Sequence, residues 1–329
     1  MTKTEEIGNV LQGRSIDPCE ILLENEYPEP RYSLTIGGIG TLPLGDIAAI
    51  KAKSKNGKTY LASIFGASVH GSDAFGMQSQ VRGSTVLYFD TEQNERNTAR
   101  VLRRMNALCG YDTKVTKQEV RAYSIRRIDT ASRWAYITEQ VNMRNPSVII
   151  IDGIVDLVKD FNDPIESKEF VSNLLKFAQE RDISIICILH TNKAKEDNNM
   201  RGHLGTILEQ KAADIFEVVR NGSTFTVKES ECRNQPIEEF SFVLDNDGMP
   251  RPSSTPIPLS QQMRDDEITQ TLKKVFENET TLQYNEIVRR YEKFAVCCKK
   301  TAKNRIKVAL ANNYLNQLEN GGYELHNER

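Results

Sequence analysis

The sequence predicts an α/β protein: a mostly parallel sheet with a β-hairpin at its edge, followed by a small, separate C-terminal domain. Three observations predict it. Short apolar runs at 46–50, 85–89, 147–151 and 183–189 alternate with segments of helical period, the pattern of strand–helix–strand units. Asn221-Gly222 stands between two strand-like runs, the strongest short hairpin signal. A stretch containing Pro250, Pro252, Pro256 and Pro258 with interspersed Ser and Thr then separates this core from a basic, amphipathic tail. The expected domains are therefore an arm over 1–30, the α/β core over 31–247, a Pro/Ser-rich linker over 248–263 and a small domain over 264–329.

Composition narrows the function classes. The 329 residues are 39% hydrophobic and 27% charged, with a formal net charge of -2, so any polyanionic partner must be met by a local basic patch. No apolar run approaches the ~18 residues a membrane helix needs. With no signal-peptide pattern at the N-terminus, the expectation is a cytoplasmic protein with no membrane partner. The six cysteines show no CxxC spacing and are read as reduced thiols without a zinc site.

In chain order, residues 1–30 are polar and proline-containing, an arm in which Glu20–Leu23 offers at most one helical turn. Arg31–Ile36 reads as a strand, and Gly37, Gly38 and Gly40 as turn punctuation. Asp46–Ile50 reads as a buried strand. It is followed by Ala52-Lys53-Ser54-Lys55-Asn56-Gly57-Lys58-Thr59-Tyr60 and by a helical pattern in Leu61, Ile64 and Phe65. Strand, loop ending in Gly-Lys-Thr, then helix is the layout of a phosphate-binding loop. Successive N–H groups and the positive end of the helix dipole attract anions. Gly57 lets the backbone approach the phosphates, Lys58 reaches the β/γ oxygens, and the Thr59 hydroxyl can ligate Mg²⁺. The same triplet after a lysine-rich segment also suits a surface turn. Ala52 stands where the pattern has its first glycine, so the opening turn must avoid positive φ or tolerate a methyl group. Lys51, Lys53 and Lys55 make the segment unusually basic.

Ser68–Arg82 is a polar excursion. Thr85–Phe89 is a core strand closing on Asp90-Thr91-Glu92, carboxylates at the edge where open α/β sheets bind ligands. Asn94–Leu108 is helical, Val120–Ser124 a strand, and Ala131–Met143 a helix with Trp134 as core. Ser147–Asp152 is a buried strand that delivers Asp152 to the same edge, either as part of an Mg²⁺ shell or as a cap for the next helix. Phe170–Arg181 is helical. Ile183–Leu189 is a strand ending at His190-Thr191-Asn192, placed either to sense a γ-phosphate or simply to satisfy local structure. Lys193–Leu208 reads as a mobile loop, and Ile215–Arg220, Thr224–Lys228 and Ile237–Leu244 as strands.

Beyond the linker, Asp266–Phe276, Tyr284–Phe294 and Thr301–Leu315 read as helices and Tyr314–Leu325 as two short strands, a set that fits a winged helix. Lys299, Lys300, Lys303, Arg305 and Lys307 crowd the third helix, with Arg289, Arg290 and Lys293 nearby. Such a run is either a solvated face or a DNA-contacting one.

Over residues 31–245 these motifs together resemble RecA-like ATPases, specifically the branch of RepA-type plasmid helicases and DnaB-type replicative helicases. The segment Met200–Asp214 looks like the stretch joining a DNA-facing loop to the next strand in those proteins, and the whole is similar to ATPases on mobile elements of Bacteroides-type bacteria. The resemblance implies ATP and Mg²⁺ as ligands, DNA as partner, and a homo-oligomer, a hexamer in that branch. It implies Lys58 as the phosphate lysine, Thr59 and Asp152 in the metal shell, Glu92 as general base, and His190 or Asn192 at the switch position. Arg233 matches the arginine finger supplied to a neighbouring subunit. There the sequence departs: where the helicase pattern commonly has lysine two residues earlier, this chain has Glu231, whose charge would repel a γ-phosphate.

Three functions are compatible with these features: a DNA-stimulated helicase motor for replication or mobilisation of a plasmid or mobile element, an ATP-switched DNA-binding regulator or loader with little unwinding, and a metabolic P-loop kinase. The last leaves the basic C-terminal helix unexplained.

Overall fold

The computed structural model describes residues 19–23, 25–192, 199–253, 268–277, 279–295, 299–311, 314–318 and 321–325. They fall into two compact units, one running to Val218 and including Glu229–Glu238, the other formed by Val219–Lys228 and the residues from Glu239 onward.

In the first unit the strands are β1 (Tyr32–Ile36), β2 (Ile39–Pro43), β3 (Ile47–Ala52), β4 (Gln78–Ser79), β5 (Val86–Asp90), β6 (Val120–Ser124), β7 (Val148–Asp152), β8 (Ser184–His190) and β9 (Asp214–Asn221), with the end of β10 (Thr224–Cys232). Strands β9, β3, β8, β7, β5 and β6 lie side by side in that order, all parallel. β1, β2 and β4 form a separate three-stranded antiparallel sheet. The helices are α1 (Lys58–His70), α2 (Glu95–Leu108), α3 (Thr130–Arg144), α4 (Pro164–Arg181) and α5 (Gly202–Lys211). The α/β class with a mostly parallel sheet is therefore as the sequence predicts.

Local chemistry explains the boundaries. Asn94 caps α2 by accepting from Asn97 N, and Asp163 caps α4 by accepting from Ile165 N and Glu166 N, with Pro164 in the first turn. β3, β5 and β7 are buried along their whole length, as strands covered on both faces must be. One face packs Leu87, Phe89, Ile149 and Ile151 with Ile137, Val171, Leu174 and Leu204 from the later helices. α1 is buried on almost every side, and its Phe65 meets Phe216 of β9 edge-on at 4.9 Å. Trp134 is only half-buried, at the rim of the core, edge-on to Phe170 and Phe177.

Several expectations change. Ile39–Pro43, where Gly40 reads as turn punctuation, is a strand whose Leu42 is fully buried. Glu20–Leu23 forms no helix, and its Leu22 carbonyl only accepts a turn bond from Asn25. The segment expected as a mobile loop contains α5; residues 193–198 lie outside the described ones. Its glycines are packing positions: a Cβ at Gly205 would sit 2.6 Å from the Met200 Cβ, and Gly202 opens the helix at φ 76. Lys51 belongs to no phosphate cradle. It points from β3 into a buried ion pair with Glu209 of α5 at 2.8 Å, and the same Glu209 oxygen accepts Met200 N at 3.0 Å.

In the second unit, the tips of β9 and β10 turn at Asn221-Gly222, with Gly222 at φ 57. β11 (Phe240–Leu244) pairs antiparallel with β10, stacking Phe242 on Phe225, and β12 (Pro250–Pro252) pairs with β11 inside the stretch expected as linker. Farther on, a helix at 268–275 (α6), α7 (Tyr284–Ala295) and α8 (Lys299–Ala311) enclose Leu272, Ile287, Tyr291, Ala302 and Ile306 beside the antiparallel pair β13 (Leu315–Gln317) and β14 (Tyr323–Leu325).

Removing one partner of the Lys51–Glu209 pair strands a buried charge, which typically costs about 3 kcal/mol or more. Glu209→Ala is expected to lower stability by that amount in urea unfolding, and Lys51→Met/Glu209→Leu to recover most of it. Equal loss in the single and double variants would refute this role.

Candidate active site

Parallel register gathers the site. Ala52 at the end of β3 pairs with His190 at the end of β8, and Asp90 at the end of β5 pairs with Asp152 at the end of β7. All four therefore reach the carboxyl edge of one sheet, where ligands bind open α/β folds.

The loop between β3 and α1 resolves the question raised by Ala52. That residue is the buried last position of β3 and never enters the turn. The left-handed positions are Lys55, φ 64, and Gly57, φ 94, which forms the N-cap of α1. Gly57 O accepts from Tyr60 N and Leu61 N as the helix begins. Lys58 Nζ donates back to Ala52 O at 3.3 Å and Lys53 O at 3.5 Å, and contacts His190 Nδ1 at 2.8 Å. An ammonium can only donate, so Nδ1 faces Lys58 as an acceptor, and Nε2 faces Glu92 Oε2 at 3.8 Å. Burial lowers the Lys58 pKa, and Asp152 and Glu92 oppose that shift. The His190 ring holds the Glu92 carboxyl below the usual glutamate value, against the opposing effect of burial.

Asp152 is a buried acid. Its pKa is pushed up to about 6, first by burial, with a hydrogen bond from Tyr88 and the charge of Lys58 working in the opposite sense. Oδ2 accepts from the Tyr88 hydroxyl at 2.5 Å and from Thr59 Oγ1 at 3.3 Å. Asp90 turns inward, accepting from Glu92 N, Gln93 N and Thr98 Oγ1, and so shapes the turn that presents Glu92. Thr91 Oγ1 lies within 3.0 Å of the Asp152 and Gly153 carbonyls and of Asp156 Oδ2, fastening the β5 end to the β7 end.

Among the described residues no cluster of three or more His, Cys, Asp or Glu side chains would hold a metal alone. The donor set suits Mg²⁺ nonetheless, because this ion is held by one or two side-chain oxygens plus substrate phosphates. Asp90, Glu92 and Asp152 against Lys58 leave the edge short of positive charge, and Thr59 Oγ1 and Asp152 supply hard oxygen donors. Beyond Glu92 and His190 opens a cavity of about 600 Å³ lined also by Arg126, Asp156, Phe161 and Arg201.

A family model described as an AAA domain matches residues 22–196, just over half of the chain, and takes in the loop, Glu92, Asp152 and His190. The chain belongs to this AAA domain family. No curated protein matches it. Among solved structures, the ATPase domain of G40P is similar at 16% identity and a TM-score of 0.46, over 60% of this chain and 81% of that one. The chain therefore carries an AAA-type ATPase domain with a phosphate-binding loop, and no described helix is long and apolar enough to cross a membrane.

Of the residues singled out in sequence, Lys58, Thr59, Glu92, Asp152 and His190 come together around the loop of this AAA domain, with Asn192 two residues beyond His190. Arg233 does not join them. It binds Asp46 Oδ2 at 2.9 Å and Lys211 O at 2.6 Å, and Asp46 lies at the amino end of β3, ~20 Å of strand away from Ala52. Glu231 is exposed on β10. On α8, Lys299, Lys303 and Lys307 are exposed at four-residue spacing and form one stripe, whereas Arg305 is half-buried on the other side; the Lys300 side chain lies outside the described set. Arg289 and Arg290 are paired with Glu286, and Arg290 also with Glu279.

Sequence reasoning missed Tyr88, Arg104 and Gly153. Arg104 lies over the Tyr60 ring at 4.1 Å and donates to Ser63 Oγ and Thr59 O beneath the loop. Gly153 has φ 90, and a Cβ there would collide with the Thr91 hydroxyl and lie 2.7 Å from Glu92 Cγ. Gly153→Ala is expected to displace Glu92 and cut ATP turnover by about 10²-fold with nucleotide affinity retained, since misplacement on the ångström scale costs that much. Turnover within a few-fold of the parent would show that Glu92 needs no such clearance.

Proposed function

We propose that this AAA domain binds and hydrolyses ATP and acts on DNA, as an oligomeric ATPase of the RepA/DnaB helicase type serving a plasmid or mobile element. The observation that carries the ATPase part is the meeting of Lys58, Thr59, Asp152, Glu92 and His190 at one sheet edge. Lys58 and the loop amides would hold the β- and γ-phosphates, and Thr59 and Asp152 would hold Mg²⁺, which when bound would neutralise phosphate charge. Glu92, kept ionised by its surroundings, accepts the proton of the attacking water. His190 joins Lys58 to Glu92 and so senses whether a γ-phosphate is present.

Support for DNA as the partner is the exposed stripe of Lys299, Lys303 and Lys307 on a helix packed with two others and a β-pair, the composition of a winged helix. A second reading, an ATP-switched DNA regulator or loader, is favoured by one observation. Arg233, the residue matching the finger, is engaged within its own chain by Asp46 and the Lys211 carbonyl. Hydrolysis measured without DNA, with single strands and with duplex at one fixed salt concentration separates the two. Strong stimulation by single strands is the motor outcome, and slow turnover indifferent to them is the switch outcome.

Lys58→Ala is expected to abolish nucleotide binding or turnover, and Glu92→Gln to retain binding while losing roughly 10²-fold or more in turnover. Near-normal hydrolysis by either variant would remove that residue from the mechanism. Replacing Lys299, Lys303 and Lys307 together by Ala should weaken duplex binding and flatten the slope of log affinity against log salt by about 2 to 3. An unchanged slope would assign the stripe to solvent.

A further inference from the structure

Tyr88 interrupts the apolar run that leads to Asp90 in β5, and its ring is fully buried, so its hydroxyl needs a reason. Among the described residues, that hydroxyl's hydrogen-bond partner is Oδ2 of Asp152, at 2.5 Å. The strand period puts Tyr88 on the same sheet face as Asp90, and its register partner on β7 is Ile150, two residues before Asp152. Leu87 and Phe89 point to the opposite layer. A phenylalanine would fill the same volume, so packing explains the ring and leaves the oxygen unexplained.

The oxygen does its work through the carboxylate. Oδ2 of Asp152 receives both hydroxyls, from Tyr88 at 2.5 Å and from Thr59 at 3.3 Å, while Oδ1 receives no hydrogen bond from a described residue. A carboxylate so held cannot rotate about its Cβ–Cγ bond without breaking the shorter of the two bonds. One oxygen is committed to the interior, and the other keeps its lone pairs for a cation.

We propose that Tyr88 is a positioning residue for the divalent cation: its buried hydroxyl fixes the Asp152 carboxylate so that Oδ1 is presented to the metal. This deepens the nucleotide-site reading above and rests on it. Partners that orient metal-ligating groups typically carry 10- to 100-fold in metal affinity. The contribution should therefore show in the part of nucleotide affinity that depends on the cation, and not in the part supplied by the loop amides and Lys58.

The test is calorimetric titration of ADP into the full-length protein and into Tyr88→Phe, each with Mg²⁺ and with EDTA. The expected result is an unchanged affinity in EDTA and an affinity about 10-fold weaker than the parent's in Mg²⁺. In the Asp152→Asn background, adding Tyr88→Phe should then cost nothing more with Mg²⁺. Equal losses with and without Mg²⁺ would make Tyr88 merely structural, and no loss in either would also overturn the proposal. If Tyr88→Phe does not fold, 3-fluorotyrosine placed at position 88 alone gives a second readout: its ¹⁹F resonance should move on adding ADP with Mg²⁺ and stay fixed on adding ADP in EDTA. A resonance that ignores Mg²⁺ would likewise overturn the assignment. Should the parent protein bind ADP no more tightly with Mg²⁺ than without, the nucleotide-site reading itself fails and this proposal with it. A Mg²⁺ effect shared equally by parent and variant would remove only Tyr88.

Discussion

The buried carboxylate of Asp152 is the constraint to which the ATPase unit is fitted. Taking an acid out of water at the end of an aliphatic strand is costly unless other groups compensate. Here the compensation comes from three groups on two elements: the Tyr88 hydroxyl from β5, and the Thr59 hydroxyl and the Lys58 ammonium from the start of α1. None reaches Asp152 unless β5 pairs with β7 in the observed register and α1 starts where Gly57 sets it. A slip of one residue would send Asp152 to the opposite face of the sheet. The electrostatics of one group thus fix the relative placement of a strand pair and a helix.

The same edge is tied to the segment beyond β8 by backbone and side-chain bonds of different kinds. Arg201 N donates to His190 O, and Thr191 bridges to Met200, so the chain on either side of residues 193–198 is paired at its base. Glu209 then links Met200 N to Lys51, one residue before the loop strand ends. His190 is also the residue that touches Lys58. A change in the position of Lys58 is consequently felt at one end of this base through an imidazole, and a change in β3 at the other through a buried ion pair. Buried connections of this sort pass on displacements where neither end can relax alone.

Much of this was legible in the sequence. The strand–helix alternation, the Gly-Lys-Thr loop and the acids closing two apolar strands rest on periodicity and residue type, and those are local properties. The parts that were not legible depend on partners distant in sequence. Lys51 reads as loop basicity until Glu209 is found beside it, 158 residues on. Gly202 reads as loop punctuation because its close contact with Phe161 is tertiary. Tyr88 left a faint signal: a polar-tipped residue on the same strand face as Asp90, in a strand with no other polar side chain before that acid. The basic run on α8 looked continuous in one dimension, yet helical geometry divides it into a lysine stripe and an arginine turned away.

Arg233 draws these threads together. Within one chain the nucleotide-loop edge has Lys58 as its inner cation, while the Asp152 and Glu92 carboxylates face it and Arg126 and Arg201 line the cavity beyond. The charge that grows on phosphoryl oxygens in the transition state therefore has little to meet it once Mg²⁺ and Lys58 are counted. If Arg233 serves a neighbouring subunit, it must first leave Asp46 and the Lys211 carbonyl. The Asp46 carboxylate would then lose its partner at a position that is mostly shielded from water. The ion pair is half-exposed on its arginine side, which keeps its strength modest. An arginine held by a modest bond is released by a subunit contact that offers a phosphate or another carboxylate, and is retained in its absence. Were Arg233 to serve a neighbouring subunit as proposed, that asymmetry would keep an isolated chain slow and tie turnover to assembly.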